Sequence, residues 1–102
     1  MASGRLGALD LAANSDTTLY APSTGITSTV NINICNRNAT DVSIRIAVIS
    51  GILANSDYIE YDVLVPGNGV LERTGIVVFA GQSIVVRSNT ANVSVVCWGF
   101  ED

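Results

Sequence analysis

Glu60 and Asp62 are the carboxylates best placed for chemistry, two residues apart on what reads as one strand face, so that they fall within reach of each other. Such a pair can act as the acid and base of a glycosidase or supply oxygen ligands to calcium. The plainer role, and the one expected, is a solvated strand face whose charges discourage edge-to-edge pairing. Histidine and lysine are both absent. That removes the usual general base near neutral pH, Ser-His and Cys-His nucleophiles, Schiff-base chemistry and most transition-metal sites. Cys35 and Cys97 are far apart, with no Cys-x-x-Cys spacing, and are expected as two free, partly buried thiols. The glycines open no helix after a strand and so form no phosphate cradle. No catalytic residue, metal or cofactor is expected.

Two further groups have chemistry suited to contact. Glu72 and Arg73 are adjacent and can form a charge-assisted pair, either across strands within the domain or across a subunit boundary. Trp98 and Phe100 share one phase of the last strand and can stack on a sugar or a base, although packing in a core or an interface is the expected use.

The elements that must position these residues are all extended. From Thr27 to Asn36, Val30, Ile32 and Ile34 alternate with polar residues, and from Val42 to Ile49 the inward phase is Val42, Ile44, Ile46 and Val48. These two segments are expected to form a hairpin across the polar turn at 36–41. Residues 57–88 read as four further β segments, with Ile59, Tyr61, Val63 and Val65 inward. Pro66-Gly67-Asn68-Gly69 and Ala80-Gly81-Gln82 are expected to close two more hairpins. Residues 50–56 read as a loop or one helical turn. In the final strand Val93, Val95 and Cys97 occupy one phase while Val96, Trp98 and Phe100 make the other apolar as well, so that the second face calls for cover. The first 26 residues show weak periodicity and are expected as an N-terminal arm or short edge strand ahead of a core domain at 27–102. Leu6, Leu9 and Leu11 are its candidate contacts with a neighbouring subunit.

This spacing of short strands and turns, without sustained helical periodicity, predicts an all-β fold. The expected form is a single antiparallel β-sandwich, jelly-roll-like, of seven or eight short strands. A length of 102 residues suits one domain. With 48% hydrophobic and only 14% charged residues the chain is too apolar for disorder, and some of that surface is expected to meet another protein. The net charge is -4 and the five arginines are scattered, so the clustered basic footprint that nucleic-acid binding needs is missing. No uninterrupted apolar run reaches the roughly 18 residues of a membrane-spanning helix, and the N-terminal segment lacks the apolar region of a secretory signal. Synthesis and assembly in a cytosol, with no membrane contact, follow as expectations.

Several motifs carry a resemblance. Asp57-Tyr58-Ile59-Glu60-Tyr61-Asp62, the run from Pro66 to Gly75 containing Leu71-Glu72-Arg73-Thr74-Gly75, Ala80-Gly81-Gln82, the closing Gly99-Phe100-Glu101-Asp102 and Ile34-Cys35-Asn36-Arg37 resemble small virion structural proteins of tailed bacteriophages. The resemblance covers most of residues 27–102 and implies assembly with no reaction. It implies residence in the virion after assembly in the host bacterial cytoplasm, with copies of itself and the major capsid protein or a tail protein as partners. The leading expectation is a homotrimeric capsid cement or decoration protein. A tail, baseplate or fibre-base adaptor is the alternative, and a carbohydrate-binding module on the virion surface, which would need Trp98 or a tyrosine cluster in a groove, is a third.

Overall fold

Alternating Val and Ile against polar partners favours a pleated surface with one dry face, and such faces are stable only when two of them meet. The computed structural model, which describes residues 2–102, resolves this demand as two antiparallel four-stranded sheets packed face to face. The eight strands are β1 (Ser3–Leu11), β2 (Thr17–Tyr20), β3 (Thr27–Asn36), β4 (Val42–Ile49), β5 (Tyr58–Val65), β6 (Val70–Phe79), β7 (Ser83–Ser88) and β8 (Val93–Glu101). A single 3-10 turn, Asn55–Asp57, precedes β5. Sheet A has the order β1-β8-β3-β6 and sheet B the order β2-β7-β4-β5.

The core is the layer between the sheets. Val30, Ile32 and Ile34 of β3, Val42, Ile44 and Ile46 of β4, Ile84 and Val86 of β7, and Val93, Val95 and Cys97 of β8 are fully buried, the inward phases expected for β3, β4 and β8. Each such aliphatic side chain removed from water contributes about 1.5–3 kcal/mol before entropy is counted.

The pairing differs from the expected hairpins. Consecutive strands alternate between sheets at every connection except β4 to β5, the only neighbours in sequence that share a ladder. The turn at 36–41, Pro66–Gly69 and the Ala80 turn are therefore crossovers between sheets. Alternation specifies which face of a strand is dry, and in a sandwich that face is satisfied equally well by either sheet. The segments at 70–75 and 76–79 are likewise one strand. Gly75, at φ 69, forms a bulge with Thr74 that bends β6 and restores its inward phase, from Leu71 and Arg73 to Ile76 and Val78.

A second bulge overturns half of the expected phase of β5. Asp62 adopts φ 54, and the ladder to β4 slips between Ile44 and Ile46. Val63 and Val65 still point inward, but Ile59 and Tyr61 are exposed, at 45% and 56%, and Glu60 turns in. Glu60, whose side chain is only 11% exposed, pairs with Arg73. Since β5 and β6 are the edges of opposite sheets, this ion pair clips the sandwich closed along one side.

Of the two expectations for the first 26 residues, the edge strand holds and the free arm does not. β1 is an edge strand paired along its length with β8, and β2 pairs with β7, so residues ahead of 27 belong to both sheets. Leu11 is buried in the core, and Leu6 and Leu9 pack against it, which leaves none of the three as a free contact for a neighbour. Small residues and a bulge between Arg5 and Gly7 break the alternation that would have marked the strand. Gly7 lies so close to the Leu19 carbonyl that a Cβ there would overlap it, which draws the edges β1 and β2 together.

The strand register of β5 yields a test. Glu60→Gln is expected to lower unfolding free energy by about 1–3 kcal/mol, because Arg73 loses its partner at a mostly buried carboxylate. Tyr61→Ser should stay within about 1 kcal/mol, since Tyr61 is outside the core. Urea midpoints of the two variants decide the matter. The reverse order of damage would restore the unbulged register.

Candidate functional site

Two outer faces remain once the inner layer is accounted for, and they differ in kind. On sheet A, outward residues of β8, β3 and β6 stand side by side: Phe100 neighbours Thr29, which neighbours Val77. Phe79 follows on β6, while Trp98 lies between Arg5 and Asn31, and Val96 between Ala8 and Asn33. Phe100 is 72% exposed, Val77 58% and Phe79 53%. Glu72 is exposed on this same face opposite Asn33. Exposed apolar residues on β6 and β8, with Thr29 of β3 between them, make this face the candidate contact surface of the molecule.

Of the residues singled out from sequence, then, Trp98, Phe100 and Glu72 come together on the outer face of sheet A. Arg73 lies in the inward phase and is used by Glu60. The run Ile76-Val77-Val78-Phe79 is apolar in both phases, which marks it for contact from the sequence, but the bulge at Gly75 decides that Val77 and Phe79 are the pair facing out.

The outer face of sheet B centres on charged residues, with Leu64 of the edge strand β5 exposed beside them. Arg45 of β4 and Arg87 of β7 are directly opposite each other in the ladder. The Asp62 carboxylate accepts two hydrogen bonds from Arg45, at 2.7 and 3.3 Å, and the arginine holds its pKa below the usual carboxylate range. The same guanidinium lies 4.2 Å from the centre of the Tyr61 ring, which meets Tyr58 edge-on at 4.8 Å. Arg45, Arg87 and Asp62 line a cavity of about 80 Å³ with Asn14, Ser43 and Asn89. Beside it, Asn55, Tyr58 and Tyr61 line an open groove of about 310 Å³. Sequence reading missed this cluster, since only the β4–β7 and β4–β5 pairings bring its members together.

The expected proximity of Glu60 and Asp62 does not materialise. The bulge sends Glu60 inward to Arg73 and Asp62 outward to Arg45, so each carboxylate is neutralised by its own arginine. Among the described residues no group of three or more Cys, Asp or Glu side chains is arranged to hold a metal ion.

The remaining motif residues organise the frame. Asn36 is fully buried and gives hydrogen bonds to the carbonyls of Thr40, Val65 and Pro66 at 2.9–3.1 Å, while its side-chain oxygen accepts from the backbone and side chain of Asn38. Asn38 in turn donates to the Ala91 carbonyl, so three loops at one end of the sandwich are tied to one amide. Gly67 passes so close to Ala39 that a Cβ there would overlap its carbonyl. At the opposite end, Tyr20 hydrogen-bonds Ser28 and Glu101, and burial raises the phenol's pKa.

No family model matches the chain, nor does any curated protein or solved structure.

The two thiols face opposite sides of sheet A. Cys97 is in the core, where burial pushes its pKa up to about 11, and Cys35 is half-buried on the outer face. Because the folded value exceeds the unfolded one of about 8.5, the Cys97 contribution to stability is complete below that pH and lost as pH rises towards about 11. A thiol-labelling time course on native protein near pH ~8 should therefore modify Cys35 well before Cys97, and Cys97→Ala should flatten the alkaline fall in stability. Equal labelling of both thiols would contradict this placement.

Proposed function

We propose that this chain is a non-enzymatic assembly protein of a tailed bacteriophage particle, a homotrimeric cement or decoration protein that stabilises the capsid. The observation that carries the reading is the apolar outer face of sheet A, where Val77, Phe79, Trp98 and Phe100 form a band that a protein surface would cover. Aromatic residues of this kind bury on the order of 150–250 Å² each and dominate interface energies. The nested pairing of β1 with β8, β2 with β7, β3 with β6 and β4 with β5 is the wiring of a jelly roll, an architecture common in capsid proteins, and we read the sandwich as one. The motif resemblance points the same way. A closed ring of three copies buries equivalent patches without leaving growing ends, and attachment at many lattice points lets modest contacts add up.

Light scattering of the purified protein should give three times the 10.6 kDa protomer mass, and Val77→Asp should reduce it while leaving the β fold intact. A protomer mass for the native chain would count against the trimer. Added to heads that lack it, the protein should bind and raise their resistance to heat, because it attaches to intact heads and not to disrupted ones. Quantitative mass spectrometry of virions should find on the order of hundreds of copies. A few to a few tens would place it at the tail or fibre base instead.

A further inference from the structure

The polar cavity and the tyrosine groove on the outer face of sheet B meet where the Arg45 guanidinium packs on the Tyr61 ring, and that face takes no part in the assembly contact assigned to sheet A. Like charges directly opposite on neighbouring strands are destabilising, so Arg45 and Arg87 need compensation. Arg45 has it in Asp62. Arg87 is less well served: its nearest carboxylate, Asp16, is 3.6 Å away, too far for a hydrogen bond, and its guanidinium makes no side-chain hydrogen bond among the described residues. Its donors therefore remain available in a cavity to which Asn14 and Asn89 add amide donors, while the Asp62 carboxylate on the same wall is held by Arg45 and Ser43. The side-chain oxygen of Asn89 is already taken by the Ser43 backbone N–H at 2.9 Å, which leaves its amide hydrogens free for a ligand.

A cavity of about 80 Å³ holds a carboxylate and the carbon that bears it, whereas the adjoining groove of about 310 Å³ accepts a ring. Arg45 joins the two, bonded to Asp62 on one side and packed against Tyr61 on the other. We propose that this composite site binds an acidic sugar, with the carboxylate facing Arg87, Asn89 and Asn14 and the pyranose ring lying along Tyr58 and Tyr61. A simple anion would leave the aromatic groove empty, and a neutral sugar would leave the arginine donors unmatched. A carboxylate carried on a six-membered ring offers a partner to each.

The test uses the full chain and two-dimensional NMR titration with an oligogalacturonate, a neutral glucan of equal length and inorganic phosphate. The oligogalacturonate should shift the resonances of Arg87, Asn89, Tyr58 and Tyr61 together. Arg87→Gln should weaken its binding about tenfold or more, and added salt should weaken it further. Tyr61→Ala, at an exposed position that the fold does not need, should weaken it severalfold and serves alone if Arg87→Gln does not fold. Absence of shifts at millimolar ligand, equal binding of the neutral glucan, phosphate reproducing the affinity of the oligogalacturonate, or a Tyr61→Ala protein that binds like the native chain would each overturn the proposal.

Discussion

One layer of β-branched side chains, shared between two sheets, is the constraint on which the rest of this molecule depends. Neither sheet can exist alone, because each presents a dry face of Val and Ile that only the other covers. The chain builds both sheets at once by crossing between them at all but one connection, so sheet B is complete only with β7 and sheet A only when β8 is in place between β1 and β3. Contacts of this kind are nearly all non-local, and folding is expected to be slow for the size of the domain.

The ends and edges of such a layer are its weak points, and polar side chains secure them. Asn36 has no spare hydrogen-bonding capacity: it holds the β3–β4 loop against the β5–β6 turn and, through Asn38, against the β7–β8 loop. Glu60 and Arg73 join the sheets along one edge, and Tyr20 with Glu101 anchors the last strand to the second. Asn36, Glu60, Arg73 and Glu101 fall within the motifs singled out in the sequence, so those motifs supply much of the frame, while Glu72 and Phe100 from the same motifs lie on the outer face of sheet A.

The periodicity of two made the inner face of β3, β4 and β8 legible in the sequence, because each keeps Val, Ile or Cys at successive alternate positions of one phase. It failed where a single residue changes the phase. Asp62 at positive φ inverts β5 between Glu60 and Val63, and no local signal distinguishes that aspartate from an ordinary exposed one. Partner strands were not legible either, since an inner face fits equally well in either sheet. The candidate sites divide along the same line. Trp98 and Phe100 stood out because both phases of β8 are apolar, whereas Arg45, Arg87 and Asp62 come from three strands whose adjacency exists only in the folded sheet.

The outcome is a sandwich whose outer faces differ, with exposed aromatic residues on sheet A and a charged cluster on sheet B. Oxidative footprinting of the assembled protein, compared with protein dispersed by dilution, tests the assignment of the apolar face most directly. Phe79, Phe100 and the half-buried Trp98 should become several times less reactive on assembly, while Tyr61, as open in the single chain as Phe79, keeps its reactivity. Unchanged reactivity of the three sheet A aromatics, or protection that falls on Tyr61 in their place, would contradict it.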